Sequence, residues 1–208
     1  MTKKEDSSIF KKLRNFLDND LKKINKPKIL EFGVRNGIST YYFLKYINAK
    51  KLISVDINDC SKVIKHKNWL FIKSSDENIK LINSYLTTKL DVIYLDTVHT
   101  ANHVEKIIYL YFSKLKKNGY FIIDDTFWLP YCKNQDLDKF WIEINNRETF
   151  DTICEIYNAN QDRMHISFSI ETSGICKIKK ISNKKLLPKK KIFNRQYSLK
   201  NYIRTIIK

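Results

Sequence analysis

Five short apolar runs lie between residues 28 and 125, and four of them close on acids. They are residues 28–33, 51–56, 69–73, 91–96 and 119–125, with Glu31, Asp56, Asp96 and the pair Asp124-Asp125 at or near their ends. The third run passes instead into Ser74-Ser75-Asp76-Glu77. Helix-spaced segments separate the runs. Near-continuous apolar strands alternating with helices are the pattern of a doubly wound, mostly parallel sheet covered on both faces. In such a sheet ligands bind outside the carboxyl ends of the strands. The pattern therefore places five acids along one rim, a clustering that a solvated surface poorly explains.

The helices are read from apolar spacing. Residues 7–25 carry Ile9, Leu13, Phe16, Leu17, Leu21 and Ile24, and Pro27 stops that helix before the first strand. Further helices are expected after Gly37 through Tyr46, near 59–66, over 77–87, and over 100–117 with Gly119 as the stop. Strand-like stretches near 150–157, 164–171 and 174–180 are expected to finish the sheet with antiparallel pairing. The fold class expected for the whole is a doubly wound, mostly parallel, seven-stranded sheet. The domain plan is an N-terminal helix over 1–26, an α/β domain over 27–180 and a basic extension over 181–208.

Composition narrows the class. The chain is 43% hydrophobic, enough for a packed core. No run approaches the ~20 apolar residues of a membrane span, and the charged first twenty-five residues show no secretory signal. Cys60, Cys132, Cys154 and Cys176 form no CxxC pair, which suits reduced thiols in a cytoplasmic protein. The net charge of +17 is uneven: residues 177–208 hold twelve Lys/Arg and no acid, whereas 27–176 hold 19 basic and 18 acidic residues. The basicity belongs to the ends.

The first turn, Glu31-Phe32-Gly33-Val34-Arg35-Asn36-Gly37-Ile38-Ser39, reads as a strand turning tightly over a ligand into a helix. Its glycines admit close backbone approach, and Glu31 would accept hydrogen bonds from the ligand. A dinucleotide fingerprint would need glycines at positions 35 and 38, where Arg35 and Ile38 stand. What remains, Glu-x-Gly-x-x-x-Gly-x-Ser with Asp56 at the next strand end, resembles the class I S-adenosylmethionine-dependent methyltransferases. The resemblance implies cofactor binding by Glu31, Gly33, Gly37 and Asp56, the last on the ribose hydroxyls, with Ser75 or Asp76 at the adenine.

Residues 91–126 narrow the likeness further. Asp91-Val92-Ile93-Tyr94-Leu95-Asp96, a long helix, and Gly119-Tyr120-Phe121-Ile122-Ile123-Asp124-Asp125 are similar to metal-dependent sugar O-methyltransferases, the macrocin O-methyltransferase-like or methyltransferase domain 24 group. That resemblance covers about residues 27–127 and implies Mg²⁺ binding by Asp96, Asp124 and Asp125, with transfer to a hydroxyl of a glycan or glycolipid. Three converging carboxylates repel one another unless a cation lies between them, and oxygen donors select a hard ion. Such an ion would orient a sugar hydroxyl and lower its pKa. The chain departs from the group's Asp-Gly-Asp-His at Thr97 and Val98. The proton then goes to His99 or to metal-bound hydroxide, or the site is altered. His99 and His103, four apart, are a weaker candidate for a transition-metal pair.

Two segments stand outside the sheet. Phe127, Trp128, Tyr131, Phe140 and Trp141 form an aromatic insertion, a local core or a sugar-stacking lid. Leu199, Tyr202, Ile203, Ile206 and Ile207 form the apolar stripe of a basic helix. Packing back onto the domain is its first expectation, an anionic membrane surface its second. RNA phosphates rank behind these, as does nucleic acid generally, and a homo-oligomer is open. The rival functions are an RNA methyltransferase and a non-catalytic partner module of the same fold.

Overall fold

The structure, a computed structural model, describes residues 4–127, 140–193 and 198–207, with side chains from 144 onward in the second segment. Seven strands form one sheet: β1 Lys28–Phe32, β2 Lys51–Asp56, β3 Trp69–Lys73, β4 Leu90–Leu95, β5 Leu115–Asp124, β6 Met164–Ser169 and β7 Ile175–Lys180. Their order is β3-β2-β1-β4-β5-β7-β6, with β7 antiparallel to both its neighbours and every other pairing parallel. The doubly wound sheet and its seven strands match the expectation. Antiparallel pairing is confined to β7, so β6 runs with the first five strands.

The helices are α1 Ser8–Leu21, α2 Ile38–Tyr41 running into a π turn at Tyr42–Tyr46, α3 Ile79–Tyr85, α4 Ala101–Tyr111, α5 Phe140–Ala159 and α6 Leu199–Ile207. Helix α1 starts at Ser7, whose hydroxyl accepts from the Phe10 amide at 3.1 Å. Its Phe10, Leu13, Leu17 and Leu21 pack with Tyr42 and Phe43 on the sheet face formed by Ile29, Leu52, Val92 and Ile122. The opposite face is covered by Ile82, Val104, Ile107, Ile108, Ile153 and Ile156. The leading helix is thus half of one core layer.

Three local expectations need correction. Residues 59–66 form turns and bends without a helix. Residues 150–157 lie inside α5: buried Thr149, Thr152, Ile153, Ile156 and Asn160 recur at helical spacing and face the core. Helix α4 ends at Tyr111, before Gly119, and β5 begins at Leu115. Gly119 instead lies where the register slips between Leu90 and Val92, and a Cβ there would come within 2.8 Å of the Asp91 carbonyl oxygen. Of the aromatic insertion, Trp128 and Tyr131 lie outside the described residues, as do the side chains of Phe140 and Trp141. No described helix is long and apolar enough to cross a membrane.

Candidate active site

The chain order reverses between β1 and β4, whose carboxyl ends lie side by side with Phe32 opposite Leu95. At this switch point a cleft of about 680 Å³ opens, lined by Gly33, Asp56, Ser75, Asp76, Asp96 and Val98 among others. A smaller recess of about 270 Å³ shares Gly33, Asp56 and Asp96 and continues to His99 and Ile9. Gly33 has φ +88°, and a Cβ on it would lie 1.9 Å from the Asp96 carbonyl oxygen. The glycine is therefore required by the meeting of β1 with β4, before any ligand is considered. Gly37, φ +67°, starts α2 against Val63.

Asp56 fastens the turn from the neighbouring strand. Its Oδ2 accepts from the amides of Val34 at 2.8 Å and Arg35 at 3.2 Å, and its Oδ1 from Asn58 at 2.8 Å. Burial would raise its pKa, but the amides of Val34, Asn58 and Arg35 hold it below the usual carboxylate value. It is an oriented anion at neutral pH.

Glu31 is placed differently from the ligand contact expected of it. It is fully buried beneath the turn, where Ser39 donates to Oε1 at 2.6 Å, and Thr40 at 2.8 Å and Ser54 at 2.5 Å donate to Oε2. Three hydroxyls thus tie β1 to the start of α2 and to β2, and leave the carboxyl no route to the cleft. Burial pushes its pKa up to about 7, against the hydroxyls of Ser39, Ser54 and Thr40, which pull it down. A carboxyl that holds its proton longer when folded favours the fold below its ordinary pKa of 4.5, and that favour fades as pH rises to about 7. The displacement corresponds to about 3 kcal/mol. Urea titrations of wild type should show this decline between those pH values, and Glu31→Gln should flatten it. An equally steep decline in the variant would remove Glu31 as its source.

Asp76, 7% exposed, is held between elements. Its Oδ2 accepts from the Thr97 hydroxyl at 2.7 Å and lies 2.8 Å from Nε2 of His103, while its backbone oxygen accepts from Tyr111 Oη at 2.7 Å. Ser75, by contrast, is exposed in the cleft, its Oγ accepting from the Glu77 amide at 3.2 Å. Thr97 and His103 are thus partners that sequence reading did not assign. The histidines do not pair, because His103 turns to Asp76 and His99 turns to the other end of the cleft.

There His99 Nε2 lies 3.2 Å from Asp125 Oδ2 and 3.7 Å from Asp96 Oδ1. One ligand atom each from Asp96, His99 and Asp125 falls within 4.8 Å of the others. Burial first, then the carboxylates of Asp124 and Asp125, push the Asp96 pKa well above its ordinary value. Asp125 reaches this point through a left-handed backbone, φ 56°.

Asp124 does not join them as expected. It is buried, with Oδ1 paired to the ammonium of Lys12 and Oδ2 accepting from Tyr94 Oη at 2.8 Å. Lys12 also donates to Ser173 Oγ at 3.0 Å. The expected trio Asp96, Asp124, Asp125 becomes Asp96, His99, Asp125 because α1 delivers its own cation to Asp124. The signal was present: Lys12 lies three residues after Ile9 and four before Phe16, on the apolar stripe of α1.

Strand order and the cleft at the switch point are those of the class I methyltransferase fold. Residues 30–126 match the methyltransferase domain 24 family, described as a methyltransferase domain. No curated protein matches the chain by sequence. Among solved structures, the MycE methyltransferase of the mycinamycin biosynthetic pathway, in complex with Mg and SAH, superposes with TM-score 0.62 at 16% identity, over 86% of this chain and 51% of that one. The chain thus spans about half the length of that protein. SAH-bound PaMTH1 of Podospora anserina gives TM-score 0.61 at 14% identity over 88% and 89% of the two chains. A putative caffeoyl-CoA O-methyltransferase from Staphylococcus aureus gives 0.59 at 16% over 85% and 93%. At these identities the likeness is one of fold.

Proposed function

We propose that the chain transfers the methyl group of S-adenosylmethionine to a hydroxyl oxygen of a sugar, in a glycan or glycolipid, with Mg²⁺ at Asp96 and Asp125. The observation that carries this reading is a shared end point. The cleft that suits the cofactor reaches Asp96, and there Asp96, His99 and Asp125 converge. The fit to the cofactor rests on the lining. Asp56 stays ionised to accept the ribose hydroxyls, and Ile57 and Val98, 70% and 53% exposed, offer apolar surface to a purine. Ser75, exposed where Asp76 is buried, is the residue for the adenine edge.

Two carboxylates suit a hard divalent ion better than an imidazole does, so Asp96 and Asp125 are assigned to the metal and His99 to the proton. When bound, Mg²⁺ supplies charge that favours the alkoxide form of the acceptor. His99, oriented by Asp125, takes the hydroxyl proton, which fills the role left open at Val98. Glu31 positions the turn from beneath it, and Thr97 and His103, which line the cleft, hold Asp76 in its wall. The mycinamycin-pathway enzyme was also solved with Mg, SAH and mycinamycin VI, which supports pairing the cofactor with a metal.

Calorimetric titration tests the base of this reading. S-adenosylmethionine should bind wild type, and Asp56→Ala should weaken it by about 10–100-fold, as expected for lost charge-assisted hydrogen bonds. Absence of binding to wild type, with and without Mg²⁺, would overturn the assignment. Methyl transfer to candidate glycans then tests the acceptor.

A further inference from the structure

The C-terminal segment has a surface that methyl transfer does not use. From Ile181 to Ile192 it lies against the domain: Tyr109 Oη donates to the Leu187 carbonyl at 2.9 Å, Asn160 Nδ2 to the same oxygen at 3.0 Å, and Lys189 pairs with Glu105 at 2.8 Å. Helix α6 has no buried residue. Leu199, Tyr202, Ile203, Ile206 and Ile207 are 75%, 65%, 47%, 67% and 78% exposed, on the one stripe that their spacing defines. The packing back onto the domain expected for this face is therefore not what the structure has. Lys200 and Arg204 flank the stripe.

A second feature on the same segment points to an anionic partner. Lys180, Lys184 and Lys185 join Lys89, Lys116 and Lys117 around a recess of about 590 Å³. Lys116 and Lys184 have carboxylate partners, Asp91 and Asp162. Lys117 and Lys185 have none among the described residues. With twelve basic residues and no acid over 177–208, a second copy of the segment would be repelled. Nucleic acid would satisfy the lysines but leave five large apolar side chains in water. A lipid surface answers both: acyl chains take the stripe and anionic headgroups take the cations. Tyr202, apolar with one polar tip, suits that boundary.

We propose that residues 181–193 and 198–207 dock the protein on an anionic lipid surface, with α6 lying in the interface and its Leu-Tyr-Ile stripe inserted. The full chain should co-sediment with phosphatidylcholine vesicles containing phosphatidylglycerol and not with phosphatidylcholine alone, and high salt should release it. Ile203→Asp with Ile206→Asp should weaken binding by at least about tenfold. Lys200→Glu with Arg204→Glu should weaken it comparably, since each cation near such a surface strengthens binding roughly fivefold. Both pairs are exposed, so thermal unfolding should stay at the wild-type temperature and serve as the control for folding. Failure to bind the anionic vesicles, equal binding to neutral ones, or full binding by the double aspartate variant would overturn the proposal. So would a dimer that this variant dissolves and vesicles leave intact, or RNA binding that displaces the vesicles. None of these readouts depends on methyl transfer.

Discussion

Lys12→Met should destabilise the protein by about 3–5 kcal/mol, the loss expected when one partner of a buried ion pair is removed. Lys12 is 2% exposed and Asp124 4%, so the remaining carboxylate would keep only Tyr94 and the Asp125 amide as hydrogen-bond donors in a site with little water. The cost is that of an uncompensated buried charge, more than that of the lost contact. Lys12→Met combined with Asp124→Asn should therefore recover most of the stability, because the charge left behind is gone. Urea unfolding of the two single variants and the double variant measures the coupling directly. A loss below about 1 kcal/mol in Lys12→Met, the range of solvated surface pairs, would show that water reaches Asp124. The pair also makes α1 part of the site: the helix that covers one sheet face decides which carboxylates stay free at the rim.

Asp96→Asn should lower methyl transfer by about a thousandfold, the several kcal/mol a metal ion contributes to charge stabilisation. Cofactor affinity should change little, since Asp56 lies on β2, two strands away across β1, and keeps its amide partners. EDTA should reproduce the loss in wild type and add nothing to Asp96→Asn. Burial and the neighbouring carboxylates raise the Asp96 pKa, so proton and cation compete there more than at an ordinary carboxylate, and the cation's affinity should rise with pH. Asp124→Asn should act differently, through stability, because that carboxylate belongs to Lys12. Full activity in EDTA would take the metal out of the mechanism and leave His99 as the acting group.

Much of the architecture was legible because strand and helix periodicities are local. The order of apolar runs, their acids and the helix-spaced stripes of α1, α4 and α6 need only neighbours in the chain. The misreadings also have local causes. Residues 150–157 contain Phe150, Thr152, Ile153 and Ile156, which favour strands as single residues, and α5 was set by the one face they bury. Gly119 resembled a helix stop but answers a backbone approach from β4.

The sequence by itself placed the five acids at one rim, since a parallel strand must deliver its last residue to the carboxyl edge. It could not say which way each carboxyl turns. Glu31 went down to three hydroxyls, Asp56 across to the amides of the turn, and Asp124 to an ammonium 112 residues away. Only Asp96 and Asp125 remained to meet His99. That choice belongs to tertiary structure, because a buried carboxylate goes to whatever donor or cation packing brings beside it, and those partners come from distant parts of the chain.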